Sequence, residues 1–173
     1  MRLTLLIAVL VVPFSIALAA SSDSEAPPTS AQNCPKGKIW DQVSQSCQAA
    51  QDSRFDDDQR FEAARALAFA GRYDDALAVL ATAQAPDHPR MLSYTGFALR
   101  KSGDAQGAMA HYHRALAIDP DYNLARAYLG QALIDQGDVE GAKQQLAEIR
   151  DRGGRDTWAY ASLKQALRAK SGY

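Results

Sequence analysis

One stretch of this sequence is repeated at a fixed offset, and that repeat limits the folds that the chain can adopt. Residues 96–108 recur as residues 130–142, an offset of 34 throughout, and a fainter copy stands 32 residues upstream at 64–76. Each copy has apolar residues at helical spacing on both sides of a glycine. A period of this length with a break in its middle is typical of helical hairpins stacked in an array. Such arrays bind other chains more often than they catalyse reactions.

The apolar periodicity divides residues 55–170 into three hairpins and a final helix. We expect the units at about 57–88, 89–122 and 123–152, and a capping helix at 156–169 that has Asp156 as its N-cap. Gly130 is expected to pack closely against Ala142 in the second helix of its own unit. The prediction is therefore an all-α solenoid of about three helical-hairpin repeats plus a C-terminal capping helix, after a short disulfide-stapled N-terminal loop.

The small and apolar residues of these units resemble the tetratricopeptide repeat family. The second unit has the clearest pattern, with Gly96, Leu99, Gly103, Ala108, Tyr112, Ala115 and Pro120. Weaker copies occupy the units before and after it, so the resemblance covers about residues 57–152. The resemblance implies a right-handed superhelix whose first helices line a concave groove, where partner peptides or helices bind.

Helical spacing along the first helix of each unit predicts which side chains line that groove. The candidates for peptide binding are Phe61, Arg65, Arg90, Tyr94, Phe97, Lys101, Tyr128 and Gln131, with Phe69, Ala127 and Asp135 on the same faces. Most aromatic residues at this spacing are expected in the core, and Phe97 is the one expected to be exposed. The subfamily that clamps a C-terminal carboxylate has Asn and Lys on these faces. This chain has Glu62, Tyr94 and Tyr128 there, so that ligand is not carried over.

The first residues have the pattern of an export signal. Arg2 precedes an almost wholly apolar run from Leu3 to Leu18, and residues 17–19 place small side chains where a signal peptidase reads. We expect residues 1–19 to be a signal peptide cleaved after Ala19, with Ala20 as the second choice. The alternative is a retained anchor, but the run is shorter than the ~20 residues that span a bilayer. The chain is therefore expected to be periplasmic or secreted, without stable membrane insertion after cleavage.

Two cysteines follow a polar segment. Residues 20–33 are rich in Ser, Ala and Pro and lack large apolar side chains, which predicts a flexible linker. Cys34 and Cys47 are the only cysteines, and in an oxidising compartment they are expected to form a disulfide that closes a loop at 34–47. We expect loss of the bridge to disturb this loop and to leave the repeats helical, because no residue of the repeats depends on it. The loop also resembles cysteine-stapled segments of small chitin-binding modules, with Trp40 as its aromatic residue.

Charge and motifs exclude several functions. The formal net charge is -1, and no basic–aromatic strip is present, so nucleic acid is not an expected partner. No nucleophile elbow, phosphate-binding loop or metal-ligand spacing occurs, so we expect no catalytic residues, no metal and no cofactor. The acidic run at 56–58 fits the start of a helix better than a metal site.

Two functions remain. The leading hypothesis is an exported, non-catalytic adaptor that binds a partner protein or peptide. The alternative is cell-envelope glycan or peptidoglycan binding through the Cys34–Cys47 loop.

Overall fold

A computed structural model describes residues 34–171 of the protein. The expected signal peptide at 1–19, its cleavage site and the linker at 20–33 lie outside the described residues. Two short strands precede seven helices in the described part: β1 (Lys38–Asp41), β2 (Ser46–Ala49), α1 (Asp57–Phe69), α2 (Tyr73–Leu80), α3 (Pro89–Ser102), α4 (Ala105–Ile118), α5 (Asn123–Asp135), α6 (Val139–Asp151) and α7 (Trp158–Ser171).

The helices pair into successive hairpins, α1 with α2, α3 with α4 and α5 with α6. The first helices also pack on one another, because α1 contacts α3, α3 contacts α5 and α5 contacts α7. We call the surface formed by α1, α3, α5 and α7 the first-helix face. The prediction of an all-α hairpin-repeat solenoid with a capping helix is confirmed.

The repeated Gly-Asp pair organises the turn between the helices of a unit. Gly103 adopts a φ of 100° and Gly137 a φ of 87°, a left-handed conformation that strains other residues. The aspartates that follow, Asp104 and Asp138, are the N-caps of α4 and α6 and accept hydrogen bonds from backbone N–H groups three residues later. This local chemistry explains why the repeat is easiest to see around its turn.

Two local expectations are wrong. Gly130 does not lie closest to Ala142, because the side chain nearest to it is that of Leu163 on α7. Asp156 is not the N-cap of the last helix, since the Thr157 hydroxyl oxygen accepts the hydrogen bond from the backbone N–H of Tyr160. The capping helix accordingly begins at Trp158.

The N-terminal loop is a β-hairpin that covers the first end of the solenoid. β1 and β2 are antiparallel, with Trp40 opposite Cys47, and the Cys34–Cys47 disulfide closes the hairpin. Ile39 belongs to the same buried cluster as residues of α1. The disulfide is therefore present as expected, and one face of the hairpin is part of the domain core.

Two arginines of the first unit bind the backbone of this hairpin and of the segment after it. Arg60 is 1% exposed and donates hydrogen bonds to the carbonyl oxygens of Ala50 and Asp52. Arg72 donates to the carbonyl oxygen of Cys34 at 2.6 Å. The premise that no residue of the repeats depends on the loop is therefore wrong.

Among residues 34–171, the helices are too short or too polar for any of them to span a bilayer.

Candidate functional site

Seven aromatic rings form a continuous row through the solenoid. These rings, which we call the aromatic spine, belong to six helices. They are Phe61, Tyr73, Tyr94, Phe97, Tyr112, Tyr128 and Trp158. Tyr128 is its centre, with four ring neighbours between 5.2 and 6.1 Å, centroid to centroid. Rings at these separations attract one another beyond the area that they bury. The spine therefore connects every unit from α1 to α7.

The spine buries three residues that the sequence analysis assigned to the groove. Phe61 is 4% exposed, Tyr94 4% and Tyr128 1%. The expectation that these rings line an open groove is wrong, because each packs edge-on against rings of the next unit. Periodicity places a residue on a helix face, and it does not show whether the next unit covers that face.

Phe97 is the spine member on α3 that is only half-buried, and it marks an accessible patch. Its ring packs against Tyr73, Tyr94 and Tyr128, and the ammonium of Lys101 lies 5.8 Å from its centroid. Phe97 was expected to be exposed in the groove, and the structure shows a half-buried ring that packs on one side against these three rings.

A second cation–aromatic pair lies at the corresponding end of α1. The guanidinium of Arg65 stands 5.6 Å from the ring centroid of Phe69, which is 38% exposed. Arg65 also lies beside Tyr94, which links this pair to Phe97. We call Arg65, Phe69, Phe97 and Lys101 the basic aromatic patch.

The surroundings of Arg65 act on its guanidinium in opposite directions. Burial alone would lower the pKa of its guanidinium, yet the Tyr94 phenol and the Glu62 carboxylate raise it on balance. The Glu62 carboxylate accepts from Arg65 at 3.1 Å and is itself largely exposed. The Arg65 side chain is only 13% exposed, so it is the carboxylate of this pair that faces the solvent.

Arg90 is occupied by a contact between units. Its guanidinium carbon lies 4.3 Å from the centroid of the Phe61 ring, and its Nη2 pairs with Asp58. A cation over an aromatic face is attracted by the ring quadrupole. The structure thus gives Arg90 a role in joining α3 to α1.

Gln131 and Asp135 are likewise joined to neighbouring units. Arg100 donates to the carboxylate of Asp135 at 2.7 Å and to the side-chain oxygen of Gln131 at 2.8 Å. Gln131 in turn donates to the Ser162 hydroxyl on α7 at 2.9 Å. The sequence analysis missed Arg100, which lies one position before Lys101 and points between the helices. Ala127 is fully buried, and the expectation that it lines the groove is wrong.

The N-terminal hairpin presents a smaller second surface. Trp40 is half-buried and shares its strand face with Lys38, whereas Ile39 on the other face enters the core. Val43 at the hairpin tip is 93% exposed. An aromatic ring and a cation on one strand face offer a stacking surface, but a single half-buried ring makes that surface small.

The acidic run and the histidines have structural partners. Asp56 is the N-cap of α1, where it forms a reciprocal capping box with Gln59. Asp57 accepts from the backbone N–H groups of Gln84 and Ala85 at 2.8 and 2.7 Å. His88 is the N-cap of α3, and His111 bonds to the carbonyl oxygen of Gly107. Within residues 34–171, no three His, Cys, Asp or Glu side chains converge as metal ligands do.

Comparisons with known proteins agree with this geometry. Two family models described as tetratricopeptide repeat match the chain, one over residues 61–123 and one over residues 99–167. The chain is also similar to the crystal structure of the Sgt2 TPR domain from Aspergillus fumigatus. That match has 26% identity and a TM-score of 0.58, and it covers 66% of this chain and 76% of that one. A comparison with curated proteins gave no match.

Proposed function

This chain belongs to the tetratricopeptide repeat family, and from that premise we propose that it is an exported, non-catalytic adaptor that binds a partner protein or peptide on its first-helix face. Proteins of this family generally act in protein–protein interaction, which supports an interaction role for the chain. The finer proposal concerns the part of the surface that binds, and the class of partner segment that fits it.

The basic aromatic patch is the observation that carries the proposal. It combines an exposed ring, Phe69, with the half-buried ring of Phe97 and places a cation against each of them. Apolar anchors supply most of the affinity at such surfaces, whereas charges at the rim mainly set the encounter rate. The patch therefore suits a partner segment with an aliphatic or aromatic anchor and nearby carboxylates.

A double substitution of surface residues tests the proposal without damaging the spine. Phe97→Ala would remove ring contacts and destabilise the fold, so Phe69→Ala combined with Lys101→Ala is the cleaner variant. We expect captured partners to bind about tenfold more weakly, in line with the loss of one anchor and one rim charge. The measurement is affinity capture from an envelope extract, identification by mass spectrometry, and titration of the purified partner.

The matched control is Ile118→Ala combined with Arg114→Ala, which removes an exposed apolar side chain and a cation from α4, a second helix. We expect this control to bind normally. Equal binding by the patch variant, the control and the wild type would contradict the proposal.

The alternative, glycan or peptidoglycan binding through the Cys34–Cys47 loop, rests on Trp40 alone. A pulldown with insoluble peptidoglycan or chitin, repeated with Trp40→Ala, separates the two functions. Retention that depends on Trp40 would favour the alternative.

Export is proposed from the N-terminal pattern. N-terminal sequencing of the protein from an envelope fraction should begin at Ala20 or Ser21. A start at Met1 in the membrane fraction would contradict cleavage and a soluble exported form.

A further inference from the structure

We propose that a small pocket between α5 and α7 binds a carboxamide, the side chain of an asparagine or glutamine in the partner segment. This inference rests on the proposed function, because it adds a second anchor point to the first-helix face and names the side chain that occupies it. Three observations support it: the cavity itself, an amide in the cavity wall that lacks a hydrogen-bond partner, and the charge at the rim.

The pocket encloses about 90 Å³ and is lined by residues 121–124 and 157–159. Its apolar walls are the half-buried ring of Trp158 and the buried side chains of Leu124 and Ala159. A protein cavity that binds benzene has a volume of roughly 150 Å³. The pocket is therefore too small for an aromatic side chain and has room for a planar group of a few heavy atoms.

Asn123, the first residue of α5, brings an unpaired amide to this pocket. Its side-chain oxygen is buried and has no hydrogen-bond partner within residues 34–171. Its side-chain nitrogen packs against Gly154, where a Cβ atom would come within 2.5 Å of it. A buried acceptor without a donor destabilises a fold, and an N–H group of a ligand would remove that penalty.

The start of α7 supplies donors to the same pocket. The first backbone N–H groups of a helix have no acceptor within the helix, and in α7 the Thr157 hydroxyl caps the one of Tyr160. The N–H groups of Trp158 and Ala159 remain without an acceptor in the described part of the chain. A carboxamide both donates and accepts, so it can pair with the Asn123 amide and with these N–H groups, whereas an aliphatic side chain would leave both unpaired.

The rim of the pocket favours a neutral amide over a carboxylate. Asp121 lines the pocket with a largely exposed side chain, and its carboxylate pairs with Arg152. A ligand carboxylate would bring a second negative charge close to Asp121 and a second acceptor close to the Asn123 oxygen, and both contacts are repulsive. The carboxamide is therefore the group that matches both the donors and the acceptor of this site.

The pocket lies within reach of a segment bound at the basic aromatic patch. The ring of Trp158 is 6.1 Å from that of Tyr128, which is 5.2 Å from that of Phe97, centroid to centroid. An extended chain covers about 3.3–3.6 Å per residue, so roughly three to four residues connect the two anchor points. The expected partner segment has an apolar residue and, three or four positions away, an asparagine or glutamine.

Three probes of nearly the same shape test the pocket in the unaltered, isotopically labelled protein. Propionamide is the glutamine side chain without its backbone, propionate is the matching carboxylate, and 2-butanone has a methyl group in place of the NH2 group. In an NMR titration we expect propionamide to shift the amide signals of Leu124 and Ala159, with a dissociation constant on the order of millimolar for so small a ligand. The amide of Val79 on α2 should stay unchanged, and propionate and 2-butanone should bind at least fivefold more weakly.

The other results of this titration would each overturn the inference. Equal binding of 2-butanone would show that the pocket takes any apolar group of this shape. Tighter binding of propionate would show a site for anions, and the lack of a saturable shift with all three probes would show that nothing binds there.

Asn123→Leu tests the role of the amide, because leucine has a similar size and cannot accept a hydrogen bond. This variant should lose the preference for propionamide over 2-butanone. Gln136→Leu, at the exposed C-cap of the same helix, is the matched control and should keep that preference. A preference that survives Asn123→Leu would contradict the inference.

The two proposals fail separately. A preference for propionamide together with unchanged partner capture by Phe69→Ala/Lys101→Ala would reject the adaptor surface alone. Weaker partner capture by that variant without any preference for propionamide would reject the carboxamide pocket alone.

Discussion

Gly130 and Leu163 are so close that a Cβ atom built on Gly130 would lie 2.6 Å from the Cδ2 of Leu163. Leu163 is fully buried, so its side chain has little room to move away. The glycine lets α5 and α7 approach each other, which makes the capping helix an integral part of the core.

Adding bulk at Gly130 should therefore destabilise the domain. We expect Gly130→Leu to lower the free energy of unfolding by about 3 kcal/mol or more, because the leucine overpacks the contact. Gly130→Ala gains helix propensity but still crowds Leu163. We therefore expect it to lower the free energy of unfolding by less, about 1 kcal/mol. Thermal and urea unfolding followed by circular dichroism measure both. Ala161→Leu on the exposed side of α7 is the control, and a Gly130→Leu variant as stable as that control would show that the contact is wrong.

Loss of the disulfide should destabilise the first repeat. The Cys34–Cys47 bridge holds the hairpin whose backbone Arg72 binds, and Arg60 binds the segment that follows it. We expect Cys34→Ser/Cys47→Ser to cost about 3 kcal/mol, the value for a loop of this size. Hydrogen exchange at residues 61–69 should become faster, while exchange in α6 changes little. Val43→Ala at the hairpin tip is the control, and unchanged exchange in α1 would mean that the hairpin is independent.

Acid should weaken the start of the solenoid through Asp57. Burial alone would raise the pKa of this carboxyl, but hydrogen bonds from the backbone N–H groups of Gln84 and Ala85 and from Arg60 lower it on balance. A lowered pKa in the folded state stabilises the fold above the unfolded value of about 3.9, and that contribution disappears as the pH falls through the folded value.

The melting temperature should accordingly vary little between about pH 7 and 5 and fall below about pH 4. Asp57→Asn should cost about 1–2 kcal/mol at neutral pH and progressively less as the wild-type carboxyl becomes protonated. Glu140→Gln, at an exposed pair on α6, should show no such trend. A constant difference between Asp57→Asn and wild type across this range would contradict the assignment.

Arg100 should tolerate no conservative replacement. Its side chain is 9% exposed, and its two terminal nitrogens reach two different side chains of α5. Lysine carries the same charge but has a single terminal nitrogen, so it cannot reach both side chains as the guanidinium does. We expect Arg100→Lys to lower the free energy of unfolding by about 1–2 kcal/mol. Lys101→Arg, one position along and exposed, should be neutral. Equal urea midpoints for the two variants would show that the hydrogen bonds from Arg100 to Gln131 and Asp135 contribute nothing to stability.

The sequence predicts the hairpins well because the turn chemistry is local. Gly103 and Asp104, repeated at Gly137 and Asp138, specify a left-handed residue followed by an N-cap, and neither depends on distant contacts. The candidate site is harder to predict. Tyr94 and Phe97 lie on the same helix at similar spacing, yet the next unit covers one and only partly covers the other.

The contacts of Arg60 and Thr157 show a second limit. Arginine is rarely fully buried, so no pattern in the sequence marks Arg60 as a core residue. Thr157 and Asp156 are both good N-caps, and the choice between them depends on where α7 must begin to pack on α5.

The aromatic spine has a consequence for modularity. Because Tyr128 contacts rings from α3, α4 and α7 at once, the second unit, the third unit and the capping helix share one set of contacts. A duplicated or deleted unit would break the order of rings and leave a gap beside Tyr128. Within residues 34–171, inserting or removing a unit beside α5 is thus expected to cost the ring contacts that neighbouring units share.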